Sequence, residues 1–243
     1  AQCRGKRNLS LLFVPPQSGG MEINMKDTII VSGGNIHKDF ALDFLKKNKT
    51  ENTCLIAADR GVEFFMGTDL EPDVAVGDFD SLSAEGAKYM ETLKHTEIRR
   101  LKPEKDDSDT QSAANYAIEQ GTERIMILGA TGNRIDHLMA NFGLLMLGKT
   151  KQVQIVLVDA YNYMSLIESG MILKKEEQFG KYVSFFPIEG EVTGLTLKGF
   201  KYPLNSYTLK VEDSGLTVSN EISDPEAEVT FETGKLLMIM SRD

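Results

Sequence analysis

The chain has 243 residues, 41% of them hydrophobic and 26% charged, which is typical of a globular protein with room for two domains. Its formal net charge of −9 argues against a general nucleic-acid surface, because phosphate backbones are held by an excess of Lys and Arg. The two cysteines form no Cys-x-x-Cys pair, so the sequence supports neither a zinc knuckle nor a disulfide scaffold and favours a reducing cytoplasm. No apolar stretch reaches the roughly 20 residues of a membrane span.

Residues 1–25 precede the first predicted strand and are expected to be a leader that is disordered or not native to the protein.

The next part of the chain alternates between two kinds of segment. From Thr28 to Asp159, short apolar runs alternate with longer amphipathic ones, which is typical of strands and helices in a parallel sheet. The sequence thus predicts an α/β domain with a mostly parallel, open, Rossmann-like sheet over 26–165. Its strands are predicted at 29–31, 54–57, 74–76, 98–101, 125–128 and 155–158, and its helices at 38–48, 60–67, 84–94, 109–120 and 135–148.

The composition changes after about Tyr161. The remainder is rich in Val, Thr, Phe and Tyr with frequent Gly, and its short apolar runs are typical of an antiparallel sandwich. We therefore predict an all-β sandwich domain over 166–243. Its strands are predicted at 182–186, 192–197, 207–211, 216–219, 227–231 and 236–240.

Polar and Gly-rich segments follow most of the predicted parallel strands, where ligands bind in open sheets. Asp78 and Asp80 follow the third strand. On an extended chain they point to one side and can grip one Mg²⁺, with Phe79 turned into the core. The alternative is an ordinary turn in which both carboxylates accept from local amides and Ser81 caps the next helix. The location at the end of a strand, after Gly77, favours the metal.

A second acidic group precedes the helix predicted at 109–120. Asp109 is a candidate metal ligand, and Asp106 is a candidate for a direct role in the chemistry. The alternative is that these acids only complement the helix dipole and that Ser108 is the N-cap. Lys105 can neutralise phosphate charge or can be a solvated lysine.

The segment from Gly129 to Asp136 joins the fifth strand to a helix. Amides exposed at a helix N-terminus bind phosphate, and the fork of Arg134 can pair with phosphate oxygens. The spacing is neither a P-loop nor a dinucleotide fingerprint. Upstream, Asp59 either holds a ribose or base or merely starts a helix.

The ordered set of motifs resembles the thiamine pyrophosphokinase family. The motifs are Ala58-Asp59-Arg60-Gly61, Gly77–Ser81, Lys105–Asp109, Gly129–His137, Gly199–Leu204 and Ser219-Asn220-Glu221. The resemblance implies an α/β nucleotide-binding domain followed by a β-sandwich that binds thiamine, in a homodimer with active sites between subunits. The implied reaction is transfer of pyrophosphate from ATP to thiamine, with Mg²⁺ on Asp78, Asp80 and Asp109.

The resemblance also implies roles for the remaining candidates. It places Asp59, Arg134 and Asp136 at the nucleotide and phosphates, and Ser219 and Asn220 near thiamine. The predicted catalytic residues are Asp78, Asp80, Asp106, Asp109 and Arg134. The predicted ligand-binding residues are Asp59, Lys105, Ser108, Gly129, Thr131, Gly132, Asp136, Ser219 and Asn220.

Two other functions stay open on the residues alone. Asp-x-Asp also anchors metal and diphosphate in transferases that use nucleotide sugars. The acids can also belong to a metal- or ligand-binding module without catalysis. Release of AMP from ATP separates the predicted kinase from both.

Overall fold

A computed structural model of the chain describes residues 27–102, 107–213 and 215–243. These residues divide into two compact units, 27–160 and Tyr161–Asp243. The leader expected at 1–25 lies outside the described residues. None of the described helices is both long and apolar enough to cross a membrane.

The first unit is built on six parallel strands with the spatial order β4-β3-β2-β1-β5-β6. They are β1 (Asp27–Val31), β2 (Cys54–Ala58), β3 (Val74–Gly77), β4 (Glu97–Arg100), β5 (Arg124–Leu128) and β6 (Gln154–Val158). The helices are α1 (Lys38–Asn48), α2 (Ala84–Thr92), α3 (Asp109–Glu119) and α4 (Ile135–Lys151). The predicted α/β fold with a parallel sheet is confirmed.

The predicted helix at 60–67 is instead a 3₁₀ segment, Asp59–Phe65. It begins directly at the end of β2, and Gly61 presses against the end of β1. A Cβ on Gly61 would lie 1.9 Å from the carbonyl oxygen of Val31, so only glycine permits this approach.

The central strands β1 and β5 are apolar after their first residues, as expected for a parallel sheet that is buried on both faces. Ile29, Ile30 and Val31 of β1 have no exposed surface. The outermost strand, β4, differs, since all four of its residues are exposed. The strand order reverses at β1, which pairs with β2 on one side and β5 on the other. The crevice at such a reversal, beyond the carboxyl ends of the strands, is where open α/β sheets bind ligands.

The second unit consists of two antiparallel groups of strands, β7-β13-β9 and β11-β10-β12-β8. They are β7 (Asn162–Ile167), β8 (Met171–Lys174), β9 (Tyr182–Pro187), β10 (Glu191–Lys198), β11 (Leu204–Lys210), β12 (Glu226–Thr230) and β13 (Leu236–Ser241). The predicted all-β character is confirmed, although β7 and β8 were not among the predicted strands.

The prediction of a strand at 216–219 is wrong. The segment is a turn: the amide of Leu216 donates to the carbonyl of Asp213, and Ser219 has left-handed backbone with φ of 55°. The left-handed backbone at Ser219 departs from the extended conformation of a strand, so the hydrophobic residues here belong to the turn.

Candidate active site

Three carboxylates converge beyond the carboxyl ends of β2 and β3. One oxygen from each of Asp59, Asp78 and Asp109 lies within 4.8 Å of the other two. Asp59 directly follows β2, Asp78 directly follows β3, and Asp109 is the first residue of α3. Carboxylates this close repel one another unless a cation joins them. Their oxygens are the ligands that a hard divalent cation such as Mg²⁺ prefers.

Asp59 carries an atom that needs a partner. Its Oδ1 is buried and has no hydrogen-bond partner among the described residues. Its Oδ2, by contrast, accepts a hydrogen bond from the hydroxyl of Ser81. An unsatisfied buried acceptor costs about 1–3 kcal/mol, and more when it is charged. A bound cation would remove this cost, so the residues present fit a metal ion.

The chain from Asp78 to Asp80 is a turn. Phe79 has left-handed backbone with φ of 63°, and its ring is buried with 8% exposure, as the sequence predicts for the ring. The amide of Asp80 donates to Oδ1 of Asp78 at 3.2 Å. The expectation of an extended chain with both carboxylates on one side is therefore wrong. β3 ends at Gly77, and the backbone adopts the left-handed conformation at Phe79.

Asp80 remains electrostatically tied to the cluster although it is not one of the three converging carboxylates. It is exposed. The charge of Asp78 raises the pKa of Asp80 above its usual value, and loss of solvent and the charges of Asp59 and Asp109 add to this effect. The site thus gathers four acids: the three predicted metal ligands Asp78, Asp80 and Asp109, and Asp59, which the resemblance places at the nucleotide.

Two glycines let neighbouring segments at the carboxyl ends of the strands approach each other closely. Gly77 lies against the segment after β2, and Gly34 lies against the loop after β5. A Cβ on Gly77 would lie 3.0 Å from Cα of Asp59, and a Cβ on Gly34 would lie 2.2 Å from the carbonyl oxygen of Gly129. Gly34 thereby brings the loop after β1 against the loop after β5. At the end of β1, Ser32 also bonds Thr110 of α3 through their hydroxyls at 2.7 Å.

The loop from Gly129 to Asp136 is held by its own polar contacts. Gly129 has φ of 73°, the hydroxyl of Thr131 donates to Asp159 at 2.5 Å, and the buried amide of Asn141 donates to the carbonyl of Ala130 at 2.8 Å. Gly132 lies against the loop after β1, since a Cβ there would lie 3.3 Å from Cα of Gly34. This loop adjoins the strand reversal, where the sequence analysis expected phosphate to bind.

Arg134 and Asp136 form an exposed ion pair at the start of α4. Both Nε and Nη2 of Arg134 donate to the two oxygens of Asp136. This bonding lowers the pKa of Asp136 to about 2. The side chains are 70% and 62% exposed. The fork predicted to bind phosphate is thus occupied by a carboxylate and must exchange it for a phosphate before it can act on one.

In the acidic segment before α3, Ser108 and Asp107 make different contacts with the helix. The hydroxyl of Ser108 accepts from the amide of Gln111 at 3.2 Å and caps α3. The carboxylate of Asp107 accepts from the side-chain amides of Gln111 and Asn115. The predicted residues Lys105 and Asp106 lie outside the described residues.

In the second unit, Asn220 is buried and Ser219 is exposed. Oδ1 of Asn220 accepts from the amides of Tyr202 and Glu221 at 3.0 and 2.9 Å, and its Nδ2 donates to the carbonyl of Tyr202 at 2.7 Å. Asn220 thus fixes the turn that carries Tyr202. Glu221 bonds Lys201 at 2.9 Å, and this bond lowers the pKa of Glu221.

Glu63 carries no predicted role, and Ser81 is predicted only as a possible helix cap within the Gly77–Ser81 motif. Both residues hold the turn after β3 in place: Ser81 bonds Asp59, and Oε1 of Glu63 accepts from the amide of Ser83 at 2.6 Å. The partners are about 20 residues apart, so no local pattern signals these contacts. The helix cap belongs to Ser83, whose hydroxyl accepts from the amide of Gly86.

Comparison with known proteins decides the family. Residues 45–157 match the family model described as thiamin pyrophosphokinase, catalytic domain. Residues 171–237 match the model described as thiamin pyrophosphokinase, vitamin B1 binding domain. A protein named thiamine pyrophosphokinase from Bacillus subtilis (strain 168) is 33% identical over 219 residues, which cover 90% of this chain and all of that one. The chain belongs to the thiamine pyrophosphokinase family.

Solved structures agree with this assignment. The crystal structure of thiamine pyrophosphokinase from Bacillus subtilis has a TM-score of 0.80 at 32% identity, covering 90% of this chain and all of that chain. The protein of that name from Geobacillus thermodenitrificans has a TM-score of 0.76 at 31% identity, covering 89% and 98%. The family is one of enzymes, and the resemblance seen in the motifs is confirmed.

Proposed function

We propose that this chain transfers pyrophosphate from ATP to the hydroxyl of thiamine, giving thiamine diphosphate and AMP. The observation that carries the proposal is the convergence of Asp59, Asp78 and Asp109 beside the loops after β1 and β5, in a chain of this family. Such a cluster holds the cation that accompanies ATP, and the Gly-rich loop after β5 offers amides to its phosphates.

The reaction is an in-line displacement at the β-phosphorus. The thiamine oxygen forms a bond to that phosphorus, the bond to the bridging oxygen shared with the α-phosphorus breaks, and AMP leaves with the bridging oxygen. The hydroxyl proton goes to a carboxylate, for which Asp106 is the candidate. Mg²⁺, when bound, neutralises phosphate charge that builds up during transfer.

The residues of the chain supply position and charge. Asp59, Asp78 and Asp109 hold the cation, and Asp80 adds negative charge beside it. Arg134 pairs with a phosphate after leaving Asp136, because both are exposed and free to reorient. Ser219 and Asn220 belong to the thiamine side, and Asn220 acts by fixing the turn around Tyr202. Positioning and electrostatics carry most of the rate in such transfers.

The test is AMP release from Mg-ATP with and without thiamine, with the product identified by mass. AMP that requires thiamine, with a product heavier by two phosphate groups, is the expected result. Release of a nucleoside diphosphate from a sugar nucleotide, or metal binding without turnover, would contradict the proposal. Asp78→Asn should lose most activity while keeping the fold, whereas near-normal turnover of this variant at saturating Mg²⁺ would refute the metal role.

We further propose that the enzyme is a homodimer with sites between subunits, as the resemblance implies, and that it works in the cytoplasm, as its cysteine usage favours. Light scattering after size exclusion measures the mass directly. A single monomeric species that retains full activity would remove the proposal of shared sites.

A further inference from the structure

We propose that Ser81 is a positioning residue that orients the carboxylate of Asp59 toward the bound cation. The inference rests on the metal site proposed above and deepens it. It concerns a residue that makes no direct contact with the cation, and that acts only through Asp59.

The hydrogen bond from Ser81 distinguishes the two oxygens of Asp59. Oδ2 accepts from the Ser81 hydroxyl, while Oδ1 is buried without a partner among the described residues. A carboxylate with one fixed oxygen cannot rotate freely about its last bond. The serine thus leaves Oδ1 as the oxygen of Asp59 that is available to a cation. The carboxylate itself converges with those of Asp78 and Asp109, since one oxygen from each residue lies within 4.8 Å of the others.

The backbone around this bond is unusual on both sides. Asp59 has φ of 47° and Phe79 has φ of 63°, in the left-handed region that non-glycine residues seldom occupy. The close approach at Gly77 leaves no room for a side chain between the two segments. Both segments therefore adopt strained backbone, and the bond from Ser81 ties together the two strained stretches.

A second contact ties the same segments but does not touch the cluster. Oε1 of Glu63 accepts from the amide of Ser83, and Oε2 of Glu63 pairs with Nε of Arg60 at 3.2 Å. The turn from Asp78 to Ser83 is thus attached to the 3₁₀ segment at two points. Only the point at Ser81 reaches one of the converging carboxylates.

Loss of the Ser81 hydroxyl should weaken metal binding. Without this donor, Asp59 is repelled by Asp78 and Asp109 and turns away, since no other described residue bonds Oδ2. Residues that hold metal ligands in place typically change metal affinity by about 10–100-fold when removed. We expect Ser81→Ala to lower the affinity by about tenfold.

The chain offers a matched control two residues away. Ser83 caps α2, where its hydroxyl accepts from the amide of Gly86 at 3.0 Å. Ser83→Ala removes from the same turn a hydroxyl that also bonds Glu63 but none of the three converging carboxylates. It should lower the urea midpoint of unfolding and leave metal affinity unchanged. Ser81→Ala, by contrast, should lower metal affinity and leave the urea midpoint unchanged.

The experiment titrates the purified full chain, without nucleotide, with Mn²⁺ as a paramagnetic substitute for Mg²⁺ and counts free Mn²⁺ by electron paramagnetic resonance. Ser81→Thr keeps a hydroxyl and should keep most of the affinity. In turnover assays, Ser81→Ala should need more Mg²⁺ for half-maximal rate and recover much of the rate when Mg²⁺ is saturating.

The outcomes separate the two proposals. If Asp78→Asn binds Mn²⁺ as tightly as the unchanged chain, the metal site fails and this inference fails with it. If Asp78→Asn loses binding but Ser81→Ala binds normally, the metal site stands and the role of Ser81 is overturned. Equal losses in Ser81→Ala and Ser83→Ala would also overturn it, because they would show general loosening of the turn.

Discussion

Arg124 forms a two-point ion pair with Asp27, and these residues face each other at the first positions of the neighbouring strands β1 and β5. The side chains are only 11% and 13% exposed, so both charges are largely removed from water. Removing Asp27 takes the two-point bond away from a guanidinium that is largely out of water. We expect Asp27→Asn to lower the free energy of unfolding by about 3 kcal/mol, measured by urea denaturation.

The pair of Arg99 and Glu97 provides the comparison for this effect. It is 46% and 52% exposed on β4, so water and salt screen it. Glu97→Gln should cost less than about 1 kcal/mol. Equal losses in the two variants would show that burial does not decide the contribution of an ion pair in this sheet.

Gly61 and Gly143 should respond in opposite directions to alanine. At Gly61 the new Cβ would lie 1.9 Å from the carbonyl oxygen of Val31, so backbone must shift, and Gly61→Ala should destabilise the fold by about 3 kcal/mol. At Gly143, inside α4, nothing lies within 4 Å. Gly143→Ala should stabilise the chain by about 0.5–1 kcal/mol. Thermal and urea unfolding of both variants give the sign, and a tolerated Gly61→Ala would contradict the packing at the end of β1.

The carboxyl group of Asp136 should titrate at unusually low pH. Its pKa in the folded chain is about 2 against an ordinary value of 3.8, because Arg134 bonds it. The folded pKa is depressed, so this group contributes stability above about pH 3.8 and loses it as the pH falls through about 2. Carbon-13 NMR of the carboxyl carbon measures the pKa directly. In Arg134→Ala the pKa should return toward 3.8; no change would mean that the ion pair is absent in solution.

We expect Asn220 to stabilise the fold rather than to contact thiamine directly. It is 2% exposed and bonds two amides and one carbonyl of the turn around Tyr202. Asn220→Ala leaves these groups without partners and should cost about 2–3 kcal/mol in urea unfolding. Ser219→Ala removes an exposed hydroxyl and should leave stability nearly unchanged, while raising the KM for thiamine if Ser219 lies on that side. A stable Asn220→Ala chain with a raised KM would reverse this assignment.

The fold was predictable because its strands are buried on both faces. Strands such as β1 and β5 then appear as short apolar runs between amphipathic helices, and the pattern marks them at the right positions. β7 and β8 escaped because they lie where the composition changes, and β8 has only four residues followed by charges. The segment 216–219 was wrongly predicted as a strand because it contains apolar residues. These residues belong to a turn in which the amide of Leu216 bonds the carbonyl of Asp213 and Ser219 has left-handed backbone.

The candidate site was predictable in place but not in detail. Acids after strands β2 and β3 must meet at one edge of a parallel sheet, so the location follows from the strand order. The choice between Asp59 and Asp80 does not follow from it. That choice depends on the left-handed backbone at Phe79 and on a hydrogen bond between Asp59 and Ser81, which are 22 residues apart. Neither is encoded in a local pattern.

The exposed outer strand, β4, bears on how the protein behaves in a crowded solution. Its residues Glu97, Arg99 and Arg100 are exposed at the edge of the sheet. A strand from another molecule that added to this edge would have to pair with only four residues and pack beside those charges, and both features disfavour edge pairing. The same short charged strand that ends the sheet therefore also discourages the chain from growing into fibres with its own copies.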